Sequence, residues 1–318
     1  DIESALSIAT ASQNSQMQGA LLVMRSWIYS ELTNAYGDIP FSEAIGGANA
    51  DANFTPVYDS QESIYSALLA DLGSAATLLG QGGSIPGDIL YGSDASKWIK
   101  LANSLRLRLL MYQSTKTDVS SAFAAIAQGA PLFESNEDQA TLSFLSAFPN
   151  QFPTIPLKQG DFDAVAFSNS ALSVMSAYND PRLSRYARPD NEDFENPTFS
   201  GIDNGFGGQT GSRLGLAYFD YPGQITAQER GLSYAEGIIM TYAEVEFLLA
   251  EAAAKGWIAA DIETHYKKGI KASHDYYQVN YGPYGFSDFE DFYANSGVAF
   301  DETVDIWEQK WLGLYFTA

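Results

Sequence analysis

Thr241-Tyr-Ala-Glu-Val-Glu-Phe-Leu-Leu-Ala-Glu-Ala-Ala-Ala-Lys-Gly-Trp-Ile-Ala-Ala-Asp-Ile-Glu-Thr-His-Tyr-Lys-Lys-Gly-Ile-Lys-Ala-Ser-His274 is the stretch on which the fold turns. Tyr242, Val245, Leu249 and Ala252 recur at three- and four-residue steps, which places them on one helical face. After Lys255-Gly256-Trp257 and a capping Asp261, Ile262, Tyr266, Ile270 and Tyr277 make a second such face. The stretch is 34 residues long, the period of a tetratricopeptide unit, with small alanines at the helix crossing and Gly256 near the turn. A unit of this kind cannot cover its own apolar faces, so further helix pairs are expected elsewhere in the chain.

They are found on both sides. Leu21, Met24, Ile28 and Leu32 line one helical face, and that helix stops at Tyr36-Gly37-Asp38-Ile39-Pro40, where Gly allows a left-handed cap and Pro ends the ladder. A second helix opens near Asp59, which can cap it, and carries Ile64, Leu68, Leu72, Ala75 and Leu79 on one face before Gly80 and Gly82-Gly83. Asp94 caps a third, whose buried stripe reads Trp98, Leu101, Leu105, Leu109 and Tyr112, with Arg106 and Arg108 off that stripe. Asp118 starts a short partner with Val119, Phe123 and Ile126; so short a connection favours an antiparallel hairpin. A last helix near Thr303 to Phe316 puts Val304, Trp307, Trp311 and Leu314 together.

Pro131 to Tyr234 is different: rich in Gly, Pro, Asn, Ser and aromatics, with one short helix over Asn169 to Tyr178 and no sustained period. Loops of this length inside a domain are typically functional. The expected fold is therefore mainly α, with helical hairpins of tetratricopeptide-like type forming a scaffold, long irregular loops and little strand. The expected organisation is a single domain over 1–318, with scaffold at about 15–130 and 238–318 and a loop-rich ligand-binding insertion at about 131–237.

Composition narrows the function. The 318 residues include no Cys, two His, 39 acidic and 17 basic side chains, for a formal charge of −22. No disulfide, thiolate nucleophile or Cys-ligated metal is available. So large an acid excess repels phosphate backbones, which excludes nucleic acid as a partner. Nine acids and no Lys or Arg fall between Arg25 and Lys97, a pattern that suits a solvated acidic face, or a neutral polar or cationic partner. No segment reaches the roughly 18–20 apolar residues that span a bilayer. Asp1 is no initiator and the first twenty residues hold no leader, so a signal has been removed or the chain has been cropped.

No enzymatic frame emerges. His265 and His274 stand nine residues apart on one helix, on opposite faces, and cannot share a metal or a proton relay. HExxH, GxSxG and the P-loop are absent, and Gly205 to Gly211 lacks the strand and helix that a dinucleotide loop requires. Asp161 with Asp163, or Glu192, Asp193 and Glu195, could pair for glycoside hydrolysis, yet none sits in a catalytic frame or completes a calcium loop. No catalytic residue, metal or cofactor is expected.

Aromatics in loops are the positive signal. Phe54, Phe199, Phe206, Tyr218, Phe219, Tyr221, Tyr281 and Tyr284 lie beside Gly, Asn, Asp and Gln. Flat rings stack on the apolar faces of sugars while amides bond hydroxyls; the competing reading is that these rings pin the loops to the helices. The candidate ligand-binding residues are Asn53, Phe54, Phe199, Phe206, Tyr218 and Tyr221.

Five segments then give a resemblance. Arg25-Ser-Trp-Ile-Tyr-Ser-Glu-Leu-Thr-Asn-Ala-Tyr-Gly-Asp-Ile-Pro-Phe-Ser-Glu-Ala44, Trp98-Ile-Lys-Leu-Ala-Asn-Ser-Leu-Arg-Leu-Arg-Leu109, Asp180-Pro-Arg-Leu183, Met240-Thr-Tyr-Ala-Glu-Val-Glu-Phe-Leu-Leu-Ala-Glu-Ala252 and Gln309-Lys-Trp311 occur in this order. Together they resemble the SusD/RagB outer-membrane nutrient-binding lipoproteins of Bacteroidota, in the SusD-like branch. The resemblance implies a non-enzymatic protein at the extracellular face of the outer membrane, held by an N-terminal lipid anchor not present in this chain. It implies capture of an oligosaccharide and delivery to a SusC-like TonB-dependent transporter. The motifs are framework and carry no ligand-binding residue with them. The lipidated Cys and the segment that usually follows Gln309-Lys-Trp311 are missing. A peptide-binding RagB-like receptor and a glycoside hydrolase stand as alternatives.

Overall fold

Side-chain oxygens set most helix starts. α1 (Ile2–Ala11) is followed by α2 (Ser15–Tyr36), which Asn14 caps by accepting from the Met17 N–H, and by α3 (Gln61–Leu79), which Ser60 caps by accepting from the Ser63 N–H. Asp94 caps α4 (Ala95–Gln113) through the Ser96 and Lys97 N–H groups, as its spacing predicts. α5 (Ser120–Gly129) follows Asp118, whose carboxylate accepts from the Ser120 N–H and hydroxyl. The computed structural model describes residues 2–46, 53–143, 166–205, 210–213, 215 and 236–317. Among them the protein is mainly helical, with one two-stranded sheet, as expected.

The chain divides into two compact units, Asp1–Ala140 with Lys255–Ala259, and Thr141–Ala254 with Ala260–Ala318. In the first, α3 is the centre: Ile64, Leu68, Leu72, Ala75 and Leu79 are fully buried, and α4 brings Leu101, Leu105 and Leu109 to the same core. Each of these leucine and isoleucine side chains removed from water contributes about 1.5–3 kcal/mol. α2 meets α3 at Gly19, where a Cβ would stand 2.6 Å from Leu79 Cγ and 2.9 Å from the Ala75 carbonyl oxygen. Only glycine fits so close an approach.

Three expectations are corrected here. The stripe of Leu21, Met24, Ile28 and Leu32 is not the buried face of α2; Ile28 and Leu32 are 37% and 41% exposed, and Gly19, Val23, Ser26, Ser30 and Thr33 turn inward. Small residues let the helices approach closely, and that closeness outweighs burial of the larger side chains. Asp59 does not cap α3; its carboxylate accepts instead from the Phe41 and Ser42 N–H groups and the Ser42 hydroxyl, tying the loop after α2 to the start of α3. On α4, Arg108 is buried while Tyr112 is exposed, because this helix is covered on nearly all sides and its stripe ends before Tyr112.

The second unit contains α6 (Asn169–Ala177), α7 (Leu183–Tyr186), α8 (Tyr242–Ala254), α9 (Ile262–Tyr277), α10 (Phe289–Asn295) and α11 (Thr303–Gly313). β1 (Ala140–Ser143) pairs with β2 (Glu236–Met240), which leads into α8. Asp261 caps α9 by accepting from the Thr264 N–H at 2.7 Å. α8 is buried on nearly every side, so its apolar face is wider than the four residues read from periodicity. Gly269 of α9 admits the Phe247 ring of α8, which a Cβ would approach to 2.9 Å. Phe247, Tyr266, Ile270, Phe292 and Ile306 form one core cluster, and Phe167, Met175, Tyr186, Tyr277 and Leu312 another. α11 repeats the lesson of α2: Ile306, Gln309 and Leu312 face inward, while Val304, Trp307 and Trp311 stay about half exposed, contrary to the stripe expected of them.

Candidate functional site

The site is built on the segment that leaves α6. Ser168 caps that helix by accepting from the Ser170 N–H, and the chain reverses at Asn179, whose φ of 50° is a left-handed conformation that asparagine tolerates better than most residues. Asp180-Pro181-Arg182 then anchors the turn. The Asp180 carboxylate accepts from the Arg182 backbone N–H at 2.9 Å and from its guanidinium, and Arg182 also donates to Gln309 Oε1 at 2.7 Å. Both charged side chains have no exposure. Burial alone would raise the Asp180 carboxyl, but the adjacent guanidinium and its hydrogen bonds outweigh that and hold it below the ordinary carboxylate range. His274 lies 3.7 Å from the same carboxylate and bonds the Tyr281 hydroxyl through Nδ1 at 3.0 Å. Burial, with Arg182 adding, pushes it down to about 3, so at neutral pH it is an uncharged ring and forms no ion pair with Asp180. His265, on the opposite side of α9, meets Glu246 at 2.6 Å.

This hub carries a cavity of about 510 Å³ within the second unit. Leu172, Met175 and Ser176 of α6, Asn179, and Leu183 of α7 form one wall. Asn196, Pro197 and Phe199 form the second. Their loop is folded by Asp193, which accepts from the Glu195 and Asn196 N–H groups at 2.9 and 3.1 Å, and by Asn191, whose amide donates to the Asn196 carbonyl at 2.8 Å. Pro283, Tyr284 and Gly285, at the 3₁₀ turn Gly282–Tyr284, complete the cavity. The Tyr284 hydroxyl is 2.5 Å from the Ser184 hydroxyl, and burial lifts its phenol to about 12, so it stays neutral. Among the described residues no ionisable carboxylate or amine lines this space, in a chain whose formal charge is −22. A neutral, partly apolar pocket with an aromatic wall can hold an uncharged polar molecule by stacking and by amide hydrogen bonds.

Of the six candidate residues, Phe199 lines this cavity. Asn53 and Phe54 belong to the first unit. There the Asn53 amide donates to Glu43 Oε2 at 2.9 Å and its carbonyl accepts from the Thr55 N–H at 3.0 Å, which holds Phe54 outward at 81% exposure. Phe206, Tyr218 and Tyr221 lie outside the described residues, as do Phe219, Asp161 and Asp163. Ser176, Asn179 and Asn196 escaped the sequence reading. Asn179 had a signal: an asparagine between a helix and an Asp-Pro turn marks a left-handed position. Among the described residues no group of three or more His, Asp or Glu is placed to hold a metal, and no helix is long and apolar enough to cross a membrane.

A helical frame around a neutral, aromatic-walled cavity is the architecture of a binding protein. Over residues 1–318 the chain matches the SusD-like family described as "Starch-binding associating with outer membrane", and it belongs to that family. Its members are nutrient-binding proteins rather than enzymes, and membership implies glycan binding at the outer membrane. Among solved structures, a SusD homologue from Bacteroides fragilis superposes with a TM-score of 0.75 at 24% identity, over 99% of this chain and 72% of that one. A chitin-binding protein gives 0.69 at 28% identity, over 95% of this chain and 66% of that one. A chitin-binding SusD homologue from Flavobacterium johnsoniae gives 0.71 at 23% identity, over 97% and 68%. No curated protein matches the sequence.

Proposed function

We infer that this protein captures a neutral oligosaccharide at the extracellular face of the outer membrane and delivers it to a SusC-like TonB-dependent transporter. The observation that carries the reading is the uncharged cavity beside Phe199, in a chain otherwise dense with carboxylates. Neutral sugars present apolar ring faces and demand hydrogen bonds, which is what such a pocket offers. The starch-binding character of the family and the two chitin-binding relatives support a polysaccharide ligand. In this cavity Phe199 serves as a stacking surface, Phe206, Tyr218 and Tyr221 are further candidate rings from the sequence, and in the first unit Asn53 is the strut that presents Phe54 as a separate candidate ring.

Isothermal titration calorimetry against a panel of soluble oligosaccharides tests the capture step. Phe199→Ala is expected to weaken binding of the best ligand about tenfold, the scale of one lost stacking surface with its area. Unchanged affinity removes Phe199 from the site. Delivery is tested separately, by co-purification of the protein with a TonB-dependent transporter encoded in the same genome.

A further inference from the structure

The cavity has an apolar floor as well as polar walls. Met175 and Leu183 are buried, and Leu172 stands beside them. Facing this floor are two uncharged amides. The Asn179 side chain has no hydrogen-bond partner among the described residues, so both its carbonyl and its NH₂ are available. Asn196 donates to Asp193 Oδ2 at 3.4 Å, which leaves its carbonyl as an acceptor. A free primary amide presents an acceptor and a donor side by side, the complement of the N–H and C=O of a secondary amide.

A plain hexose would meet these groups with hydroxyls and would set a hydroxyl against the Leu172, Met175 and Leu183 floor. Burying a hydroxyl there without a partner is unfavourable. An acetamido substituent answers both halves of the lining: its N–H and C=O pair with an amide, and its methyl enters the apolar floor. The lack of a charged lining side chain among the described residues argues against uronic acids, sulfated sugars and free amino sugars, whose charge would be desolvated without compensation. We propose that this cavity is a subsite for an N-acetylated hexosamine residue. The proposal rests on the glycan-binding reading of the same cavity and specifies the sugar class.

The test compares chitotetraose with cellotetraose by calorimetry, two β-1,4-linked tetramers that differ in the acetamido group at C2, with maltotetraose as a third arm. The full chain is expected to bind chitotetraose at least about tenfold more tightly than cellotetraose, from a buried methyl and a paired amide. Asn179→Gly keeps the left-handed backbone while removing the amide, and it is expected to erase most of that preference. Leu172→Ser, at a partly buried position beside the Met175 and Leu183 cluster, is expected to reduce it by polarising the floor, with urea unfolding checking that the variant folds. Equal affinity for the two β-1,4 tetramers, tighter binding of maltotetraose, or a preference that survives Asn179→Gly overturns the N-acetyl assignment while leaving glycan capture standing. No binding to any of the three or to the wider panel overturns both.

Discussion

In the second unit Asp180 and Arg182 form an ion pair with both side chains at 0% exposure. In the first, Arg25 bridges Glu3 and Asp71 with those side chains between 20% and 36% exposed. The outer pair ties α1, α2 and α3 at their edge, where water screens it and where the apolar residues of α3 already hold the helices. The inner pair fixes the turn that gives the cavity Asn179 and Leu183, and Gln309 and Ser273 complete the hydrogen bonds of its guanidinium. A buried charge is a positioning device whose cost is concealed until one partner is lost; an exposed one is nearly dispensable.

Removing one buried partner gives the largest effect. Asp180→Ala strands the Arg182 guanidinium without exposure, and a loss of about 3–5 kcal/mol is expected in urea unfolding. A loss under about 1 kcal/mol would dissolve the contrast between the two units. Second is Leu68→Ala in α3, which opens a cavity at a fully buried position and is expected to cost roughly 3 kcal/mol. That result would show the first unit depending on apolar burial as heavily as the second depends on its ion pair. Third is Gly19→Ala: its Cβ collides with Leu79 Cγ and the Ala75 carbonyl, so a loss of about 2 kcal/mol is expected although alanine is the better helix former. A stabilised variant would mean that α2 and α3 can separate freely.

Acid should also distinguish the two regions. His274 is held at about 3 against an ordinary value of 6.5, and Asp180, Arg182, Lys271 and Tyr281 face it. The unfolded chain takes up a proton near pH 6.5 that the folded chain refuses until about pH 3. Stability therefore falls as pH drops through that window, by about 1.4 kcal/mol per pH unit from this group. Asp180, depressed below its ordinary 3.8, adds its own loss only at lower pH. In His274→Phe the slope of unfolding free energy between pH 6 and 4 should be shallower by about one proton. An unchanged slope would show that His274 titrates normally in the folded protein.

Much of this architecture was legible in the residues, and the exceptions have a common cause. Periodicity locates α3, α4, α5, α8 and α9, and a short acceptor before an apolar repeat marks Asp94 and Asp261 as caps, although Asp59 in the same setting bonds a neighbouring loop. Periodicity does not say which side of a helix meets a neighbour. On α2 and α11 periodicity points to the large side chains as the contact face, whereas Gly19, Ser26 and Ser30 on one, and Gln309 on the other, make it. Close packing through small residues and a buried Gln–Arg hydrogen bond are tertiary properties, and the sequence of one helix does not contain its partner. The cavity was half legible. An aromatic in a loop announced Phe199, but Asn179 and Asn196 gain meaning only when the turns of Asp180 and Asp193 aim them.

The smallest expected effect completes the comparison. Asp71→Asn removes one of two carboxylates from Arg25, at a site where the bond is 2.7 Å long and both side chains reach water. The asparagine can still accept from the guanidinium, Glu3 still balances its charge, and the helices remain joined through α3's apolar face. A loss of no more than about 1 kcal/mol is expected, and it should shrink further between 0.05 and 0.5 M salt because an exposed pair is screened. The Asp180→Ala loss should hardly change over the same salt range, since no counterion reaches a buried site. If the Asp71 variant instead lost as much as the Asp180 variant, exposure would have no bearing on what an ion pair contributes here.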